Sequence, residues 1–187
     1  FNTTKPYRLM VGGDDGKVNF YEGVPFKHKC EFKEHLGKFV SDIQCSPDGE
    51  KFVSVGFDKK IVIYKAKEGE ILDQFDTSKV ENGHKMAIIS CAYIDDNRLA
   101  TCSIDRSVKI WDLNEKKLLF TLIPAEGKLG TPYIFCGIVS DGKKIVTVSL
   151  SGTLYSWDVE TLADNKLPDL TLYGHQNPVT CIDMAKN

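Results

Sequence analysis

Ser103-Ile104-Asp105-Arg106-Ser107-Val108-Lys109-Ile110-Trp111 is one of four copies of a pattern that decides how this chain folds. The others are Gly13-Asp14-Asp15-Gly16-Lys17-Val18-Asn19-Phe20-Tyr21, Gly56-Phe57-Asp58-Lys59-Lys60-Ile61-Val62-Ile63-Tyr64 and Ser149-Leu150-Ser151-Gly152-Thr153-Leu154-Tyr155-Ser156-Trp157. Each begins as a tight turn and ends as an alternating strand closed by Tyr or Trp. The closing aromatic returns after 43, 47 and 46 residues, the length of a four-stranded propeller blade. Such a sheet cannot bury its apolar faces alone, so the copies must stack on one another. The expectation is an all-β fold.

Working outward, 40–45 reads as a first strand, followed by the turn Ser46-Pro47-Asp48-Gly49, where Pro presets φ and Gly accepts a positive one. Strands at 51–56, 61–65 and 71–75 complete that unit. The same reading predicts units over about 39–76, 87–122 and 133–172, an incomplete one over 7–32, and a lone first strand at 178–184. No segment has helical periodicity. The two incomplete ends can together close a ring of four blades, or belong to different blades of a larger ring; the larger ring, of about seven, is expected.

The chain has 187 residues, 42% hydrophobic and 27% charged, which places it in the soluble globular class. A net charge of -2 and a pI near 6.1 argue against a nucleic-acid partner. No run approaches the roughly 18 apolar residues of a membrane span. The chain opens at Phe1 rather than Met, which suggests an excerpt of a longer protein. Six cysteines form no C-x-x-C pair. Cys45, Cys91, Cys136 and Cys181 recur every 46, 45 and 45 residues, which predicts one buried position repeated in successive blades. Reduced thiols in a cytoplasmic protein follow from that.

The units resemble WD-repeat blades: Trp111-Asp112 and Trp157-Asp158 carry the Trp-Asp pair, and Gly174-His175 matches the Gly-His pair before a first strand. The resemblance implies a buried structural tetrad at His84, Thr101, Asp105 and Trp111. In it, Asp accepts from His, His from the hydroxyl, and the hydroxyl from the indole. His35, Ser54, Asp58 and Tyr64 offer a variant, and Ser151 replaces the Asp in the last copy. The same residue types could suggest a nucleophilic triad, but they recur with the blade period, which catalysis has no reason to repeat. No nucleophile elbow, phosphate-binding glycine loop or metal-ligand cluster is present in the sequence. The expectation is a protein that is not an enzyme, with no cofactor, metal or small-molecule substrate.

One stretch is more specific. Val18-Asn19-Phe20-Tyr21-Glu22-Gly23-Val24-Pro25-Phe26-Lys27 resembles the corresponding link in the actin-interacting protein 1 family, and the likeness continues through Glu34-His35, Phe39-Val40, Ser46-Pro47-Asp48-Gly49 and Tyr173-Gly174-His175. The resemblance implies part of the first of two seven-bladed propellers, acting in the cytoplasm on the actin cytoskeleton. It implies binding to actin filaments decorated with ADF/cofilin, promotion of their disassembly, and partner contacts at Asp14, Lys27 and Phe39. Each has a structural alternative: Asp14 as a turn cap, Lys27 on a solvated edge, Phe39 in the core. His28, Val24 and a longer turn before Phe39 depart from the family pattern. The competing functional reading is a WD-repeat scaffold for another complex, such as a ubiquitin-ligase adaptor.

Overall fold

The computed structural model describes residues 2, 6–35, 37–122, 135–175, 177 and 179–183, with the backbone alone at 135 and 136. The first sheet holds β1 (Arg8–Gly12), β2 (Val18–Glu22) and β3 (Lys27–Phe32). The second holds β4 (Val40–Cys45), β5 (Lys51–Gly56), β6 (Lys60–Lys65) and β7 (Glu70–Asp76). The third comprises β8 (Ile88–Tyr93), β9 (Arg98–Ser103), β10 (Val108–Asp112) and β11 (Lys117–Leu122), and the fourth β12 (Phe135–Ser140), β13 (Lys144–Ser149), β14 (Thr153–Asp158) and β15 (Leu170–Tyr173). In every sheet the strands pair antiparallel in chain order. Among the described residues the one helical piece is a 3-10 turn at Thr77–Lys79.

Period-two alternation sends opposite faces of each sheet to different neighbours. In the second sheet Phe52, Val62 and Tyr64 pack with Met10, Val18 and Phe20 of the first, while Val53, Val55, Ile61 and Ile63 pack with Cys91, Leu99 and Trp111 of the third. The third sheet in turn sets Ala100, Cys102, Val108 and Ile110 against Ile138, Ile145, Tyr155 and Trp157 of the fourth. The core therefore lies between sheets, and β4, β8 and β12 lie next to one another along the inner side. Successive sheets stack as propeller blades.

Two irregularities recur with the blade. The pairing of each first strand slips one residue in, at Val40/Asp42, Ile88/Ser90 and Phe135/Gly137. In the first three sheets it slips again at the closing aromatic, at Phe20/Tyr21, Ile63/Tyr64 and Ile110/Trp111. A bulge re-aims a side chain without ending the strand, and here it accompanies the aromatic turned into the space between sheets. Phe32 and Phe75, on the outer strands, lie 4.9 Å from Tyr64 and 5.8 Å from Trp111 between ring centroids.

Two expectations are corrected. Residues 179–183 join no ladder, so the strand expected at 178–184 is not formed over its described part; no described strand pairs with it, and a strand exists only through its partner. The segment packs across the fourth sheet instead, where a Cβ at Gly137 would collide with Ile182. Nor do the evenly spaced cysteines share one position. Cys91 faces Thr101 across its pair, as Ile43 faces Ser54 and Ile138 faces Thr147, whereas Cys45 faces Phe52 at the strand end. Cys45 is half-buried, Cys91 buried and Cys181 exposed, and the side chain of Cys136 lies outside the described residues. Equal spacing misleads because the first strands themselves start 48 and 47 residues apart, at Val40, Ile88 and Phe135.

Polar clamps lock the second and third sheets at their inner strands. Asp42 Oδ2 accepts from Ser90 Oγ at 2.6 Å and from Cys91 N at 3.0 Å, and Ser41 Oγ donates to the Ile88 carbonyl at 2.6 Å. Asp42→Ala strands a backbone donor between two sheets, so it is expected to cost about 2 kcal/mol, read as a lowered urea midpoint with an unchanged m-value.

Candidate functional site

The turns joining β1–β2, β5–β6, β9–β10 and β13–β14 all lie at one end of the blades, together with the described connections before the second and third sheets. Two hydrogen-bonded chains anchor this end. In the third sheet His84 Nδ1 donates to Asp105 Oδ2 at 2.9 Å, Thr101 Oγ1 donates to His84 Nε2 at 2.8 Å, and Trp111 Nε1 donates to Thr101 Oγ1 at 2.8 Å. Ser107 Oγ donates to Asp105 Oδ1 at 2.6 Å, and Lys85 N donates to Asp105 Oδ2 at 3.0 Å. His84, Thr101 and Trp111 are all 0% exposed, which closes the hydroxyl to any substrate. The arrangement satisfies buried polar groups and fixes a turn; it does not present a nucleophile.

Its electrostatics agree. Burial pushes His84 below its ordinary 6.5, against the pull of Asp105, so the imidazole is held neutral. Burial opposes the charge on Asp105, but the hydrogen bonds from His84, Ser107 and the Lys85 backbone outweigh it and hold the carboxyl well below its usual range. In the second sheet His35 Nδ1 donates to Asp58 Oδ1 at 2.9 Å, Ser54 Oγ donates to His35 Nε2 at 2.7 Å, and the Tyr64 hydroxyl lies 3.0 Å from Ser54 Oγ. Burial keeps that phenol protonated. Asp58 Oδ2 is left without a partner, because Lys60 stands where Ser107 supplies a hydroxyl. In the fourth sheet Ser151 replaces the Asp; Thr147 Oγ1 is buried without a partner, and Trp157 Nε1 turns to the Lys166 carbonyl at 3.2 Å.

The three candidate contact residues do not form one patch. Asp14 is exposed and makes no hydrogen bond or ion pair among the described residues; Asp15 caps the turn, accepting from Lys17 N at 3.0 Å. Phe39 is 45% exposed rather than core, and packs edge-on against Phe57 with centroids 5.3 Å apart. These two lie close, since Gly13 O accepts from Val40 N at 3.0 Å and a Cβ at Gly16 would collide with Gly37. Lys27 sits at the far end of β3, paired in register with Glu22, while Phe32 pairs with Val18 beside the Asp14 turn. At about 3.4 Å per residue that separation is roughly 17 Å. Lys27 is exposed and free of ion pairs among the described residues, whereas Lys29 and Lys33 on the same edge pair with Glu22 and Glu31.

Residues missed by the sequence reading share the Asp14 position. Asp15, Asp58 and Asp105 cap equivalent turns, so Phe57 and Ile104 fall where Asp14 falls, as does Leu150 in the fourth sheet. Phe57 and Leu150 are 44% and 40% exposed, and Met86 on the preceding connection is 49% exposed. The available signal was the second place of the repeated pattern, apolar in three copies of four.

The blade geometry and the hydrogen-bonded chains coincide with a known repeat: the description "WD domain, G-beta repeat" matches residues 26–65 and 76–112. The chain carries WD repeats, arranged as part of a β-propeller. Its similarity runs further than the repeat. It is 30% identical to Actin-interacting protein 1 of Drosophila melanogaster over 190 residues, covering 99% of this chain and 29% of that protein. It is 37% identical to the 66 kDa stress protein of Physarum polycephalum over 183 residues (97% and 29%), and 36% identical to Actin-interacting protein 1-2 of Arabidopsis thaliana over 187 residues (98% and 30%). The chain thus spans about three tenths of the length of these relatives, and the resemblance carried by the 18–27 link extends along nearly all of it.

Thr101→Val removes the hydroxyl that joins His84 to Trp111 and leaves two buried nitrogens unpaired, so a loss of about 3 kcal/mol is expected, measured by denaturant unfolding. The pH response has a definite sign. A His held below 6.5 in the fold contributes stability that is complete above 6.5 and falls as pH drops through the folded value; Asp105 adds a second loss below its ordinary 3.8. The urea midpoint should therefore decline on acidification from pH 6.5, and His84→Gln should remove the first part of that decline.

Proposed function

We propose that this chain is part of a cytoskeletal regulator that binds cofilin-decorated actin filaments and promotes their disassembly, contributing about four blades to the first propeller of a longer protein. The observation that carries this reading is the similarity to relatives named as actin-interacting proteins along 98–99% of the chain. The contact residues suit it. Asp14 is relieved of turn capping by Asp15, Phe39 is an exposed ring, and Lys27 is a free cation on an edge where its neighbours are neutralised. Aromatic rings and charges of this kind anchor protein interfaces.

Their separation bears on mechanism. Asp14 and Phe39 occupy the turn end of the blades and Lys27 the opposite end. A target built of two proteins offers two surfaces, one for each end, and a coated filament is such a target. The protein acts without catalysis, in the cytoplasm, by binding one filament state more tightly than the other; a binder shifts an equilibrium only through that difference.

Cosedimentation of the full-length protein with bare and cofilin-coated filaments tests the reading. Tighter binding to the coated filament is expected, with Asp14→Ala, Lys27→Ala and Phe39→Ala each slowing disassembly several-fold while the melting temperature stays within a degree or two. Equal binding to both filaments rejects it. Recovery of an unrelated complex without actin, such as a ubiquitin ligase, would favour a scaffold role instead.

A further inference from the structure

The turn end of the second and third sheets carries two features that folding does not require. The first is apolar. Phe39 and Phe57 form an exposed aromatic pair, Met86 stands beside the next turn, and the half-buried Ile104 continues the line. The two sheets are tied together here through Ser41 and Ile88, so these side chains sit on one continuous surface.

The second is cationic. Lys59 and Arg106 hold the left-handed backbone conformation, with φ of 66° and 69°. The same turn position in the flanking sheets is Gly16 (φ 79°) and Gly152 (φ 83°). A side chain in that conformation is strained relative to glycine. At Gly16 and Gly152 a Cβ would collide with Gly37 and His175, so glycine is obligatory there. At the two middle turns a long cation is carried in spite of the strain. Lys38 and Lys85 stand on the adjoining connections, and none of the four cations lies within ion-pairing distance of a carboxylate among the described residues. Most acids of this end are engaged: Asp58 by His35, Asp105 by His84, and Asp76 by Ser78 and Lys79, while the charge of Lys59 also acts on it. Glu81 is exposed on the long connection and Asp14 on the neighbouring turn of the first sheet. Elsewhere on the molecule Lys17, Lys29, Lys33, Arg98, Lys116 and Lys117 have acidic partners, whereas Lys27 and Lys67 have none among the described residues.

We propose that this surface docks an acidic segment of the filament's protein, an apolar side chain seated against Phe39, Phe57 and Met86 and its flanking carboxylates met by Lys59 and Arg106. The proposal rests on the filament-binding reading above and adds the chemistry of the segment recognised. Charge complementarity selects the occupant: four unpaired cations around an apolar centre call for carboxylates around an apolar anchor. The strained pair supplies the test, because glycine at those positions relieves the backbone while deleting the charge.

The experiment is cosedimentation of the full-length protein with cofilin-coated filaments over a salt series, beside thermal melts. The double variant Lys59→Gly/Arg106→Gly is expected to melt within a degree or two of wild type, yet to bind about tenfold more weakly at low salt, the gap narrowing as salt rises. Lys59→Arg/Arg106→Lys should bind as wild type. Phe57→Ser should weaken binding by a similar factor at every salt concentration. A Lys59→Gly/Arg106→Gly protein that binds like wild type throughout overturns the proposal, including the case in which the rest of the protein covers this end. Wild type that ignores coated filaments would instead remove the filament reading and this surface's partner with it. A single-stranded RNA oligonucleotide bound more tightly than filaments, and released by the double variant, would reassign the surface to nucleic acid.

Discussion

The second and third sheets each have two apolar faces, and neither can be left in water. Phe52, Val62 and Tyr64 look one way and Val53, Val55, Ile61 and Ile63 the other, so the second sheet is buried only because the first and third enclose it. At roughly 25 cal/mol per Å² of apolar surface, this burial dominates the fold's stability. It also limits where function can reside. With both faces committed to neighbouring sheets, the parts of a blade free to meet a partner are its two ends and its outer edge. Asp14, Phe39 and Phe57 lie at one end, Lys27 at the junction of the other end with the outer edge.

The hydrogen-bonded chains answer a second constraint, that polar groups within the packed faces must be paired. Placing His, hydroxyl and Asp in series brings the turn between the middle strands onto the connection that precedes the sheet. The Asp is thereby fixed inward, and the residue before it is turned outward with no structural duty. That is why Phe57 and Ile104 hold equivalent places; Asp14 and Leu150 take the same place on turns without such a chain among the described residues. The scaffold repeats a position, and its occupant is left to vary with what it meets.

Strand existence was legible because turn chemistry and alternation are local: 40–45 and 51–56 appear with the bounds read from the sequence, and 61–65 and 71–75 each lie within a strand a residue or two longer. The His84–Thr101–Asp105–Trp111 chain was legible as well, since its members sit at fixed offsets within one unit. Positions across units were harder to read. The cysteines kept an even spacing while the strand starts drifted by two residues between sheets, so a period counted along the chain placed Cys45 and Cys91 alike when their registers differ. Residues 179–183 had the composition of a strand but no described neighbour to pair with. The separation of Lys27 from Asp14 was hidden for a related reason: thirteen residues in sequence do not tell which end of a hairpin each occupies until the register is known. Phe57 and Met86 went unnoticed because an apolar residue in sequence reads as core until its burial is seen.

The fourth sheet shows what the anchoring is for. Without an Asp at 151, its turn is held by short-range hydroxyl contacts, Ser149 with Ser151 at 2.8 Å and Thr153 N with Ser149 at 3.1 Å, while Thr147 goes unpaired and Trp157 bonds to a carbonyl on its own connection. Among the described residues the turn is thus tied to itself. Leu150 rides on this self-contained turn; Phe57 and Ile104 ride on turns bolted through His35 and His84 into the space between sheets. A contact residue held rigid before binding loses less freedom on binding. The cations at 59 and 106 therefore stand on the two turns best able to use them, and the strain they impose is borne where the hydrogen-bonded chains most firmly determine the backbone.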